Sequence, residues 1–281
     1  MRRFLIVVST SLGLIASPVM AEPEAESAEI ELCEGCKALL DLAVAHPRRK
    51  ADRPRDEFRH PVETLAFMKV RPGMTVIDYM PSSGWYTRLL VPYLGEDGRY
   101  IGLNPTPPSG ASEGLASYLG GLRDKFMPKA AEWNLKGAPV EAYNTDELGD
   151  DMNGTVDRVL IFREMHNLHR NGILHDELNR LHELLKDDGM LGIVQHRAKS
   201  DAPADYVTGN MGYMRQKDVI GLVEAHGFEL VGTSEINANP KDPANFEGGV
   251  WELPPVMRSK REELRAIGES DRMTLLFRKR P

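Results

Sequence analysis

Hydrophobic positions along the chain alternate between two spacings. Short β-prone runs fall at Thr75–Asp78, Arg99–Leu103, Pro139–Tyr143, Val156–Phe162, Met190–Gln195, Phe228–Ile236 and Met273–Phe277. Between them, apolar residues recur three and four apart over Trp85–Leu94, Glu113–Lys125 with a second piece at Lys129–Leu135, Ile173–Lys186 and Gln216–His226. The first pattern predicts strands and the second amphipathic helices. Leu174, Leu178, Leu181 and Leu185 make the clearest helical stripe. Arg71-Pro72-Gly73-Met74, Glu96-Asp97-Gly98, Pro105 to Gly110 and Asp187-Asp188-Gly189 supply the turns. Two helices precede the first strand: Lys37–Ala45, stopped by His46-Pro47, and one entered through His60-Pro61, with Leu65, Phe67 and Met68 on its buried side.

Strands alternating with helices predict an α/β fold, Rossmann-like and doubly wound, with a mostly parallel sheet covered on both faces. The last connection breaks the rhythm. It is long and irregular, with one short helix near Ser259–Ala266, and it permits an antiparallel insertion at that edge. The expected core is therefore one domain over residues 55–281, without internal repeats.

The N-terminus adds a location. Met1-Arg2-Arg3, the apolar run Phe4–Ala16 and Val19-Met20-Ala21 have the form of a signal peptide over 1–21, cleaved after Ala21. The run is shorter than the roughly 20 residues a membrane span needs. A periplasmic or secreted protein with no membrane span after cleavage is expected. Residues 22–54 are acidic and then charged, and hold the short helix and a Cys-Glu-Gly-Cys motif. Arg48 to Asp56 reads as an exposed linker or as an arm folding over the ligand site. The formal net charge of −7 argues against nucleic acid as a partner. Cys33 and Cys36, the only cysteines, suit a local disulfide, free thiols, or a redox or metal role. No histidine follows Cys36, which excludes c-type haem attachment, and two thiols fall short of the four ligands of structural zinc.

Candidate chemistry gathers where predicted strands end. In a doubly wound sheet the loop after the first strand offers backbone N–H groups and a helix N-terminus to a nucleotide-like ligand. Here that loop is Pro81-Ser82-Ser83-Gly84, with a single glycine. His166 and His196 follow strands four and five, where a neutral imidazole can act as general base or simply bond within a loop. His166, His169, His175 and His182, with Glu164, also permit a metal-cluster reading, which requires the ligands to converge on one point. Tyr86, Tyr213 and Trp251 read as pocket walls or as core aromatics. Asn237, Asn239, Asp271 and Arg272 read as a substrate wall or a structural polar network. No Gly-x-Ser-x-Gly elbow is present, so hydrolase chemistry is unsupported.

Pro72 to Asp78, the Pro81–Thr87 turn and Asp187 to Leu191 resemble a class I S-adenosylmethionine-dependent methyltransferase. More narrowly, residues 55–281 resemble a bacterial group of exported predicted methyltransferases. The narrower likeness lies in Pro-x-x-Gly-Trp-Tyr-Thr, His196-Arg197-Ala198, Ser234 to Pro240, Gly249-Val250-Trp251 with Leu253-Pro254-Pro255, and Ile267 to Met273. The resemblance implies a seven-stranded sheet with an antiparallel last strand and S-adenosylmethionine across the carboxyl ends of the first strands. Asp78, Pro81, Ser82, Ser83 and Gly84 then lie under the methionine part of the cofactor. Asn104 stands at the ribose, and Asp146, or Asn144, at the adenine amine. Arg163 to Asn167 face the methyl donor and acceptor. Arg197 joins Tyr86, Tyr213, Asn237, Asn239 and Trp251 on the substrate side. Ser82 and Ser83 replace glycines of the group, adding Cβ atoms where backbone approaches ligand, and Asn104 lacks the charge of the usual carboxylate. Methyl transfer to a small molecule is the first reading. A non-catalytic binding or accessory protein on the same fold is the second, and metal handling the third.

Overall fold

The computed structural model describes residues 33–280. The signal peptide and most of the acidic segment expected after it lie outside the described residues. From the N-terminus come α1 (Cys36–Ala45), α2 (Asp56–Arg59), α3 (Pro61–Phe67), β1 (Thr75–Tyr79), α4 (Thr87–Leu94) and β2 (Arg99–Asn104). Next are α5 (Glu113–Gly120), α6 (Leu122–Trp133), β3 (Val140–Asn144), β4 (Val156–Phe162), α7 (Met165–Arg170) and α8 (Leu174–Leu184). β5 (Leu185–His196), α9 (Gln216–Glu224), β6 (Phe228–Ser234) and β7 (Arg272–Lys279) complete the order.

The strands form one sheet in the order β3-β2-β1-β4-β5-β7-β6. β1 to β5 run parallel. β7 is antiparallel to both β5 and β6. The last strand is thus reversed as expected, but it lies inside the sheet and leaves β6 at the edge. Successive residues of the central strands enter opposite cores, as the period of two requires. Ile77 and Val159 pack on one face with Leu178 and Leu181 of α8 and Val219 of α9. Val76 and Leu160 pack on the other with Leu40 of α1, Leu65 of α3 and Leu89 and Leu90 of α4.

Three segments differ from the sequence expectation. The helix expected over Glu113–Lys125 breaks earlier, at Gly120-Gly121, and α6 carries Pro128 inside it; paired glycines are weaker helix formers than the residues around them. β5 begins at Leu185, paired with Val156, and Lys186 to Gly189 bulge out before Met190 pairs with Arg158. Lys186 Nζ donates to Asp157 Oδ1 there at 2.6 Å. The stretch Arg48–Asp56 is not an exposed linker. Arg49 and Asp52 are buried, and the guanidinium of Arg49 lies 4.7 Å from the Trp85 ring centre and bonds Asp56. Both oxygens of Asp52 accept from Arg88 of α4 at 2.7 Å. Cys33 and Cys36 are joined by a disulfide at the head of α1.

Candidate active site

The sheet order reverses between β1 and β4, and a crevice opens beyond the carboxyl ends of strands at such a switch point. Both strands leave it by sharp turns. Met80 (φ 52°), Ser82 (φ 51°) and Arg163 (φ 64°) occupy the left-handed region that disfavours side chains. The N–H of Met80 donates to Leu103 O at 2.8 Å and that of Arg163 to Val194 O at 2.7 Å, so one extra ladder bond fixes each turn. Gly84 (φ 72°) follows, where a Cβ would collide with the Trp133 ring.

A cavity of about 400 Å³ fills the crevice, within the range of small-ligand sites. Of the candidates from sequence, Asp78, Pro81, Ser82, Ser83, Tyr86, Arg163, His166, His196 and Trp251 line it. The lining also includes Glu164, from the stretch expected to face donor and acceptor, and Arg55, from the arm expected over the ligand site. Arg59, Arg170, Glu269 and Ser270 line it too, and sequence reasoning did not single them out as site residues. Glu269 and Ser270 do lie in one of the stretches that carried the family resemblance.

The remaining candidates stand behind or beside this cavity. Gly84 is buried under Trp133. Asn104 is buried at the end of β2, and its Nδ2 has no partner among the described residues. Asp146 is exposed in a separate groove, where its Oδ1 accepts from Thr106. Arg197 pairs with Glu235 and Asp271. The hydroxyl of Tyr213 donates to Asp242 Oδ2 at 2.9 Å. Asn237 Nδ2 donates to Thr64 and Thr274 hydroxyls at 3.0 and 2.9 Å, and Asn239 Nδ2 to the carbonyls of Ile267 and Glu269. These last four residues pin the loops around 240 and 270 to the sheet. The histidines do not converge as a metal cluster would. His175 Nδ1 meets His226 Nε2 at 2.9 Å on the surface, and His182 Nε2 meets the carbonyl of Gly227.

Burial sets the electrostatics of the wall. It pushes the carboxyl of Asp78 up to about 7, against a hydrogen bond from Tyr100. Glu164 is likewise pushed up to about 7 by burial, although Asn167 and Arg163 favour its ionised form. Burial drives His166 down to about 4 and His196 well below its usual value. Both rings are therefore neutral at pH 7. Their centres lie 5.7 Å apart, and His196 Nδ1 is hydrogen-bonded to Ser270 Oγ at 2.6 Å. Burial alone would raise Glu269, but Arg272, Arg59 and Arg55 outweigh it and hold the carboxyl down to about 2. Tyr86 stacks on Phe162 with ring centres 3.5 Å apart, and Trp251 stands edge-on to His166 at 6.0 Å.

No family model and no curated protein matches the chain. Among solved structures it is similar to a SAM-dependent methyltransferase from Aquifex aeolicus, at 20% identity over 68% of this chain and 91% of that one, TM-score 0.46. It is also similar to 1,6-didemethyltoxoflavin-N1-methyltransferase of Burkholderia thailandensis, solved with S-adenosylhomocysteine, at 16% identity over 95% of this chain and 100% of that one, TM-score 0.44. The cyclase SpnF is similar at 11% identity over 87% of this chain and 93% of that one, TM-score 0.47. The strand order itself defines the architecture. That order, with its reversed penultimate position, is the Rossmann-like fold on which class I S-adenosylmethionine-dependent methyltransferases are built.

Proposed function

We propose that this chain is an exported S-adenosylmethionine-dependent methyltransferase with a small-molecule acceptor. One observation carries the reading: the cavity sits at the switch point between β1 and β4, with Asp78 in its wall, while the Nδ2 of Asn104, unpartnered among the described residues, stands outside that lining at the end of β2. That amide is a fitting donor for a ribose hydroxyl, and Asp78 a fitting acceptor for an ammonium. The cofactor, when bound, supplies a methyl group on a sulfonium, and transfer of such a group depends chiefly on alignment. Tyr86 and Trp251 offer flat walls to position an acceptor. Glu164, with its carboxyl near 7, is better matched to proton removal at neutral pH than His166, whose value near 4 makes it a weak base. The signal-peptide pattern and the Cys33–Cys36 disulfide both suit an oxidising compartment outside the cytosol.

The separation of Asn104 and Asp146 from the main cavity favours a second reading, a binding protein that keeps the fold without turnover. Calorimetric titration of the mature protein with S-adenosylmethionine and S-adenosylhomocysteine decides between them. Micromolar binding of both is expected. Absence of binding up to about 1 mM, roughly −4 kcal/mol, would sink the methyltransferase reading. Binding with no methyl transfer to any acceptor pool would leave the second.

A further inference from the structure

Arg59 and Arg163 line the cavity, and each has a buried Nη1 with no hydrogen-bond partner among the described residues. Arg59 is only 2% exposed. An unsatisfied buried donor costs on the order of 1–3 kcal/mol, more when charged, and native structures hold few of them.

The charge around them is unbalanced in the same direction. Glu269 is shared by three guanidiniums, with Arg55 Nε at 2.5 Å, Arg59 Nε at 3.4 Å and Arg272 Nη2 at 3.0 Å. One carboxylate therefore answers three cations, and Arg163 forms no ion pair among the described residues. The other two carboxyls of the wall, Asp78 and Glu164, are partly protonated at neutral pH and offset little. Arg170 adds another cation at the mouth, 5.9 Å from the Trp251 ring centre. Buried cations in excess destabilise a fold unless something compensates them.

We infer that this wall is an oxyanion subsite: the cavity's ligand carries a carboxylate- or phosphate-type group that accepts from Nη1 of Arg59 and Nη1 of Arg163. The inference rests on the methyl-transfer reading only in naming that ligand the methyl acceptor. The amino-acid carboxylate of the methyl donor offers the same chemistry, but it arrives with an ammonium and a sulfonium, so the donor as a whole adds positive charge. An anionic acceptor balances the wall. Planar, forked guanidiniums suit such a group geometrically.

Inorganic phosphate and acetate, each compared with chloride at matched ionic strength, are the probes. In thermal unfolding of the mature protein, phosphate or acetate is expected to raise the midpoint saturably where chloride does not. Arg163→Gln is expected to weaken that effect at least about tenfold, or roughly 1.4 kcal/mol, with circular dichroism confirming the fold. Arg59→Gln serves as a second variant, since removing Arg59 also disturbs Glu269. An equal response to chloride, or an undiminished response in folded Arg163→Gln, would overturn the subsite. Calorimetry with S-adenosylhomocysteine at saturating phosphate separates the two sources. Unchanged affinity places the oxyanion on the acceptor, whereas mutual exclusion assigns it to the nucleoside and overturns the acceptor assignment. Phosphate binding in a protein that does not bind S-adenosylhomocysteine would support the subsite and sink the methyltransferase reading.

Discussion

Burial takes the Glu164 carboxyl from 4.5 to about 7, so the folded chain holds a proton there that the unfolded chain releases. The resulting stability is fully present below about pH 4.5 and is lost as pH rises through 7. His166 works in the opposite sense. Its folded value near 4 lies below 6.5, so its contribution is present above 6.5 and lost as pH falls toward 4. Comparing Glu164→Gln with wild type isolates the first effect. The variant is expected to gain nothing near pH 4.5 and up to about 3 kcal/mol above pH 7, at 1.4 kcal/mol per unit. Melting curves across that range check it, and a pH-independent difference would contradict the assignment. Asp78, His166 and His196 were legible from sequence because each follows or closes a strand on the ligand side. Arg55 was legible only through the alternative reading of Arg48 to Asp56 as an arm over the ligand site, and Arg59 not at all, because their partner Glu269 lies 214 and 210 residues away. A charge run in isolation reads as a solvated surface.

At the level of elements, the central parallel strands β1, β4 and β5 were readable because buried parallel strands write continuous apolar runs. α7 was not, since its six residues, Met165–Arg170, are too few to show a helical period. α1 was readable as a helix, but its destination was not. It docks through Leu40, fully buried against the cluster that holds Leu90 of α4 and Leu65 of α3. That contact anchors the arm which places Arg55 and Arg59 in the cavity wall. Leu40→Ala is expected to cost about 2–5 kcal/mol, the range for deleting a buried leucine side chain. Urea unfolding followed by circular dichroism measures it. A loss below about 1 kcal/mol would show that the arm stays in place without α1.

For the whole molecule, Glu269 is the point where two segments distant in sequence meet: the N-terminal arm, through Arg55 and Arg59, and the entry to β7, through Arg272. Its carboxyl is held near 2 against an ordinary 4.5. The stability this supplies is complete above about pH 4.5 and is lost as pH falls toward 2. Glu269→Gln is therefore expected to be destabilised by about 3–5 kcal/mol at neutral pH, as for breaking a buried ion pair. The gap should close progressively in acid, which a melting series from pH 7 to pH 2.5 follows. A constant gap would mean the residue acts by packing alone. The position of β7 has a consequence for how the chain is made. β5 and β6 are separated by residues 272–279 and share no ladder of their own. During synthesis from the N-terminus, β6 has no partner and β5 presents an open edge until that last segment emerges. Such edges template association with other chains. Glu269 and Ser270 emerge just ahead of it, so the sheet and the cavity lining are completed together, and a chain stalled before residue 269 has both an unpaired sheet edge and an incomplete site.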